Sequence, residues 1–333
     1  MKHIVVFDDL HEFDIRPQAS YAEFVRLLET EVRREFDPAT FRGDADCPAC
    51  ASADTAPVFA KWEFAYRRCP VCATVFGSPG PDAMSLERFR SSSAALDFWR
   101  RTMLEHSAEA RAGHLFRPRL NWMLDLVSRH RMQSGSVADY GARHPGMVRE
   151  LVRSGQFDRV LAVPSAPETW QAFEDAGATP VSTLDAGSIT ALTAFESLEG
   201  EPDLRVWFET FGRAVKPGGL LFLTMRAGSG FDMQILGGRA PNLLPPLHRV
   251  LPSPEGIAAL LAAHGFEALE ISTPGQLDVQ IVAATIAQDP GVQLPPFVDT
   301  LMRRGPRVQE AFQEFLQTSR LSSHMRVAAL RMP

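Results

Sequence analysis

All four cysteines of this chain fall in one short stretch, as Cys47-Pro-Ala-Cys50, eighteen residues, then Cys69-Pro-Val-Cys72. Each CxxC turn presents two sulfurs, and two such knuckles together offer the tetrahedral set that Zn2+ takes at about 2.3 Å per sulfur. Four sulfur ligands leave no open coordination position, so the expectation is a structural zinc ribbon with Cys47, Cys50, Cys69 and Cys72 as ligands. A redox CxxC pair, or a ribbon that has lost its metal, is compatible with the same spacing. A reducing cytoplasm disfavours disulfides.

A second stretch organises the chain from residue 136 onward. In SVADYGARHPG (136–146), Val137, Ala138 and Asp139 read as a strand, Gly141 as a tight turn, and Pro145 as the start of a helix. A strand that runs through a glycine turn into a helix N-terminus begins a nucleotide-binding α/β unit, because glycine admits a close ligand and free N–H groups favour negative charge. The turn has no glycine between Gly141 and Gly146, so a plain strand–turn–helix fits equally well.

From there strands and helices alternate. Strands are expected at 160–163, near 180–182, at 189–195 and in LLFLTMR; Leu204, Trp207, Phe208, Phe211 and Val215 recur at helical spacing until KPGG stops them. Such alternation implies a parallel sheet covered on both faces. FEALEIST and DVQIVAAT, about PGQL, predict an antiparallel hairpin at the sheet edge, and 294–333 reads as helical. Upstream, 4–7 is a strand candidate, and Tyr21, Phe24, Val25, Leu28 and Val32 mark a helix. The expected fold is therefore α/β: a Rossmann-like, mostly parallel sheet with an antiparallel edge hairpin, preceded by a small zinc-ribbon module and followed by a helical tail. The divisions expected are 1–115 for the N-terminal module with its ribbon (47–72) and helical linker, 116–290 for the Rossmann-like core, and 291–333 for the tail.

A formal charge of −6 argues against a dedicated nucleic-acid binder, which needs a concentrated basic surface. No apolar run reaches the roughly 20 residues that cross a bilayer, and the N-terminus turns acidic after four apolar residues, unlike a signal peptide. No membrane association and a cytoplasmic location are the expectations.

These pieces, in this order, resemble the class I S-adenosylmethionine-dependent methyltransferases, and more closely the bacterial subgroup with an N-terminal zinc ribbon that includes sugar C-methyltransferases. The residues that carry the resemblance are the cysteine ribbon, AFESLEGEPD (194–203), VKPGGLLFLT (215–224), SGFDMQILGG, NLLPPLHRVLPSPEGI and TPGQLDVQI. The resemblance implies S-adenosylmethionine as cofactor. It places Asp139, Tyr140, Gly141 and Ala142 around the donor's amino-acid portion, Val163 and Pro164 at the end of strand two, Asp185 facing adenine, and Phe195 with Glu196 as the wall after strand four. The chain also departs from the family pattern. Arg143 and Pro145 stand at later glycine positions of the turn, Gly200 replaces a histidine, and VLAVPSAPE lacks the acid that holds the ribose. A charge-assisted hydrogen bond of that kind contributes about 1.5–3 kcal/mol.

Where methyl transfer needs a base, histidine suits neutral pH. His248 lies where the fold builds its substrate lid, though a loop role in the proline turn is the plainer reading. Tyr140 could place a hydroxyl at the reaction centre, and Glu196 a carboxylate on a ligand. Arg117 and Arg119 suit an anionic small-molecule substrate. Three readings stay open: a small-molecule methyltransferase in natural-product or surface-sugar biosynthesis; a degenerate relative serving as a binding or scaffold subunit with a partner protein; and an enzyme reusing the pocket for a reaction other than methylation.

Overall fold

The computed structural model describes residues 17–333 other than 44, 45, 105, 166 and 202; the strand candidate at 4–7 lies outside the described residues. Helix α1 (Gln18–Glu35) buries Tyr21, Phe24, Leu28 and Val32, the stripe that three- and four-residue spacing places on one face. Strands β1 (Ala56–Lys61), β2 (Phe64–Arg68) and β3 (Val75–Gly77) form the antiparallel ribbon sheet around the cysteine knuckles. Helix α2 (Ala83–Ser92) follows, capped by Asp82, and after it α3 (Arg117–Arg129), which enters the main sheet.

That sheet is built from β4 (Ser136–Ala142), β5 (Arg159–Pro164), β6 (Thr179–Pro180), β7 (Ile189–Phe195) and β8 (Val215–Arg226), all parallel. Helix α4 (Gly146–Ser154) follows β4, and α5 (Leu204–Ala214) follows β7, its N-terminus capped by Asp203. Strand β7, ITALTAF, is buried along almost its whole length, as a strand covered on both faces must be. Helices α3 and α4 pack on one face through Trp122, Met123, Met147 and Leu151. On the other face, Phe208 and Phe211 of α5 meet Leu192 and Leu223, together with Ile257 and Leu260.

Beyond β8 come α6 (Phe231–Leu236), the short β9 (Val250–Leu251), α7 (Pro254–Ala263) and β10 (Phe266–Ser272). Here the local expectations need correction. The DVQIVAAT segment is helix α8 (Asp278–Gln288), not the second arm of a hairpin, and its buried Val279 and Val282 lie three apart, as on one face of a helix. Helix α9 (Pro306–Thr318) belongs to the expected helical tail, but the chain then forms β11 (His324–Arg331). Strand β11 inserts antiparallel between β8 and β10, giving the order β10-β11-β8-β7-β4-β5-β6. The sheet therefore has its antiparallel edge, supplied by the far end of the chain. A short apolar run such as MRVAAL has no period that separates strand from helix, and only the two waiting neighbours decide it.

The cores do not follow chain order either. Cys47, Cys69, Cys72 and Phe76 of the ribbon share a core with Phe208, Leu223 and Leu261. A second core gathers Phe24 and Leu28 of α1, Phe64 and Tyr66 of the ribbon, Phe231 and Leu236 of α6, and Val282 and Leu316 of the tail helices.

Candidate functional site

Open α/β sheets bind ligands beyond the carboxyl ends of their parallel strands. At those ends stand Gly141 of β4, Pro164 of β5, Glu196 just after β7 and Arg226 of β8. Because β11 runs the other way, it starts at the same edge, and His324 pairs in register with Arg226.

Glu196 has a φ of 47°, in the left-handed region that a side chain normally avoids. Its N–H donates to the Thr224 carbonyl at 2.8 Å, which fixes that conformation. Its carboxylate accepts from Arg119 Nη2 at 2.6 Å and from Thr224 Oγ1 at 3.2 Å, with His324 Nδ1 3.6 Å away. Arg119 is sunk behind the carboxylate, with its side chain 5% exposed, while that of Glu196 is 40% exposed. Burial acts to raise Glu196, but Arg119 first, with His324 and Arg111, together more than offset it and hold the carboxyl down to about 2. His324 is pushed down to about 3, first by burial and then by Arg119, Arg326 and Arg226, with Glu196 opposing. At neutral pH the edge therefore carries an ionised, accessible carboxylate beside an uncharged imidazole.

The first turn is arranged differently. Asp139 is buried, accepts from Thr193 Oγ1 at 2.7 Å, and is pushed up to about 6 chiefly by burial. The Tyr140 ring makes edge contacts with Trp207 and Phe211, at 4.9 and 5.3 Å between centroids. Ala142 packs with Val148, Ala162 and Phe173, and Val163 lies in the main core. Asp185 is exposed and its carbonyl accepts from Ser188. Phe195 lies under the Arg119 guanidinium, 5.3 Å from ring centroid to Cζ. His144 caps α4, its Nδ1 accepting the Gly146 N–H at 3.0 Å.

His248 sits in the proline turn, where its Nδ1 accepts the Leu244 N–H at 3.1 Å and its carbonyl accepts the Tyr66 hydroxyl at 2.7 Å. Arg117 pairs with Glu109 at 3.2 Å and Glu150 at 3.6 Å, whereas Arg119 reaches Glu196 at the strand edge.

S-adenosylmethionine meets these residues unevenly. Gly141 has φ +71°, and a Cβ there would lie 2.7 Å from Trp207 Cη2 and 2.9 Å from Ser197 Cβ, so protein covers that side of the turn. With Val163 in the core and no acid after it, the ribose lacks its usual partner. The charged half of the donor finds matching chemistry. Glu196 is open to its ammonium and sulfonium, and the exposed Arg143, whose Nη2 is 3.5 Å from the Cβ position of Gly200, suits its carboxylate.

The cysteine cluster fits zinc. All four Sγ atoms lie within 4.8 Å of one another, with Cys47–Cys72 at 3.5 Å and Cys50–Cys69 at 3.6 Å. Tetrahedral bonds of about 2.3 Å require sulfurs about 3.8 Å apart. The knuckle is tied to the main domain: Ser253 Oγ donates to the Cys72 carbonyl and accepts the Gly256 N–H at 2.9 Å, while β3 pairs with β9.

Residues 112–271 match a family described as a methyltransferase domain. The match covers slightly under half of the chain. No curated protein matches the chain. Among solved structures it is similar to geranyl diphosphate C-methyltransferase from Streptomyces coelicolor, at 13% identity over 95% of this chain and 100% of that one, TM-score 0.43. It is also similar to phosphoethanolamine N-methyltransferase 2 from Haemonchus contortus, at 17% identity over 78% and 63%, TM-score 0.46. A third is an S-adenosylmethionine-dependent methyltransferase from Mesorhizobium loti, at 14% identity over 62% and 96%, TM-score 0.38. Among the described residues, no helix is long and apolar enough to cross a membrane.

Two groups at the strand edge escape sequence reasoning. His324 sits in a stretch that reads as helical, and Thr224 in a strand whose side-chain directions depend on register. The only advance signal was that the last histidine stands two residues before Arg326, a spacing that shares a face only in a strand.

Proposed function

We propose that this chain is an S-adenosylmethionine-dependent methyltransferase for a small molecule, acting in the cytoplasm in natural-product or surface-sugar biosynthesis. The observation that carries the reading is the pairing of Glu196, ionised and accessible, with uncharged His324 at 3.6 Å on the carboxyl edge of a methyltransferase sheet. The ribbon ahead of the domain supports the biosynthetic setting, through the subgroup it resembles.

When bound, the donor supplies an electrophilic methyl group. The chain's own part is binding, orientation and proton handling. Glu196 and Arg143 bind the donor's charges of opposite sign. His324 takes the proton of an acceptor hydroxyl or carbon acid, and Glu196 stabilises the imidazolium as it forms. Arg119 and Thr224 hold the Glu196 carboxylate in place for both tasks. Zinc at Cys47, Cys50, Cys69 and Cys72 is structural, since four sulfurs complete its coordination.

Calorimetric titration of the full chain with S-adenosylmethionine and S-adenosylhomocysteine tests this. Without the ribose acid, binding is expected at tens to hundreds of micromolar, the result of losing about 1.5–3 kcal/mol from a tight site. No heat and no thermal shift at millimolar donor would overturn it. A second reading, a subunit that keeps the fold and supports an active partner, is favoured by Trp207 and Ser197 lying against Gly141.

A further inference from the structure

Where α3 packs against β11, one of three neighbouring arginines makes no close ion pair. Arg119 is paired with Glu196 at 2.6 Å, and Arg226 with Asp232 at 3.0 Å. Arg326 has no such partner: among the described residues no carboxylate lies within 4.0 Å of it, and its Nε is buried without a hydrogen bond. Its guanidinium lies over the Trp122 ring, 5.7 Å from Cζ to centroid. Burial, and after it Arg119, push Arg326 down to about 10 against the opposing pull of Glu270 and Glu196, so it stays charged at neutral pH. A partly buried cation without an anion is unfavourable, and it is relieved when one arrives from outside. The indole face keeps the guanidinium plane oriented, which leaves its N–H fork free for a planar or tetrahedral oxyanion.

Its place in the sheet is equally specific. Arg326 lies opposite Thr224 and His324 opposite Arg226 in the β8–β11 register, so the two side chains share one face. Two strand residues span about 7 Å.

We propose that Arg326, stacked on Trp122 and flanked by Arg119 and His324, binds the anionic group, a carboxylate or a phosphate, of the methyl acceptor. This deepens the methyltransferase reading and rests on it. An acceptor anchored there presents an atom only a few bonds from its anion to His324 and Glu196, so the acceptor class is a short carboxylate or phosphate monoester. The anchor also acts on the base. The charged groups facing His324 are Glu196, Arg119, Arg326 and Arg226, and the three arginines lower its basicity. An anion between them offsets that field, so the group that positions the acceptor also makes His324 a better proton acceptor.

The test uses the full chain without donor or turnover. Inorganic phosphate and acetate are titrated separately at constant ionic strength, and binding is read by thermal midpoint and by calorimetry. Wild type, Arg326→Gln, Arg326→Lys and the surface control Arg205→Gln are compared. Saturable binding at millimolar concentration is expected for at least one anion, unchanged in Arg205→Gln, weakened at least tenfold in Arg326→Gln and intermediate in Arg326→Lys. Phosphate alone would assign a phosphate monoester; acetate, alone or equally well, a carboxylate. In anion-free buffer Arg326→Gln should melt no lower than wild type, because it removes an unpaired cation. The proposal is overturned if neither anion binds, if Arg326→Gln binds as tightly as wild type, or if that variant fails to fold. Absent donor binding in the separate titration would defeat the methyltransferase reading and leave this result standing.

Discussion

Arg119 on α3 donates to Glu196 over 2.6 Å, joining a helix on one face of the sheet to the strained residue that ends β7. Glu196 is held down to about 2 from its ordinary 4.5, so the folded state releases this proton more readily than the unfolded chain. The stability it brings is present above pH 4.5 and is lost as pH falls towards 2. Glu196→Gln should flatten acid unfolding in that window while leaving the neutral-pH fold intact. An unchanged acid limb in urea melts from pH 5 to pH 2 would contradict the pairing.

The two histidines divide cleanly. His324→Gln should lower turnover of a carboxylate- or phosphate-bearing acceptor by about 10²–10⁴-fold, the range for loss of a general base, with donor affinity retained. His248→Asn should leave turnover within a few-fold and lower stability by about 1 kcal/mol, through the hydrogen bond its ring accepts from Leu244. Steady-state kinetics with thermal melts on both variants decide between them, and a reversal of the pattern would move the base to the lid.

Glu199 behaves in the opposite sense to Glu196. It is 3% exposed, one carboxyl oxygen is buried without a partner, and burial, then Glu196, push it up to about 7. Its folded pKa lies above the unfolded one, so its contribution is fully present below pH 4.5 and is lost as pH rises to about 7. Glu199→Gln should therefore match wild type near pH 4.5 and exceed it at pH 8 by up to about 3 kcal/mol. Equal stability gaps at the two pH values would show that Glu199 is ionised throughout.

Elemental analysis should find about one zinc per chain. Cys69→Ser should remove most of it and lower the stability of the entire chain by more than about 4 kcal/mol, in a single transition. The shared core of Cys69 and Cys72 with Phe208 and Leu223, and the Ser253 bond to Cys72, give the reason. Two transitions, with the seven-stranded sheet melting as in wild type, would show that the ribbon folds apart.

Much of the fold was legible because its signals are local. The CxxC pairs, the helical stripe of α1, the continuous burial of β7 and the stop at KPGG each depend on neighbours in sequence. Glu196 could be picked out for the same reason, since it follows a recognisable strand end. Its roles could not, because Arg119, Thr224 and His324 come from three other elements.

By itself, then, the sequence determined the cysteine knuckles, the parallel α/β core and where its strands end, since spacing and periodicity act over a few residues. Tertiary structure alone decided that 324–331 is a strand and 278–288 a helix, and that the ribbon shares a core with the sheet. It also decided that His324 comes to lie beside Glu196, on the same sheet face as Arg326. A short apolar segment adopts whichever form its neighbours leave hydrogen bonds and space for, and here β8 and β10 leave an open position between them for β11.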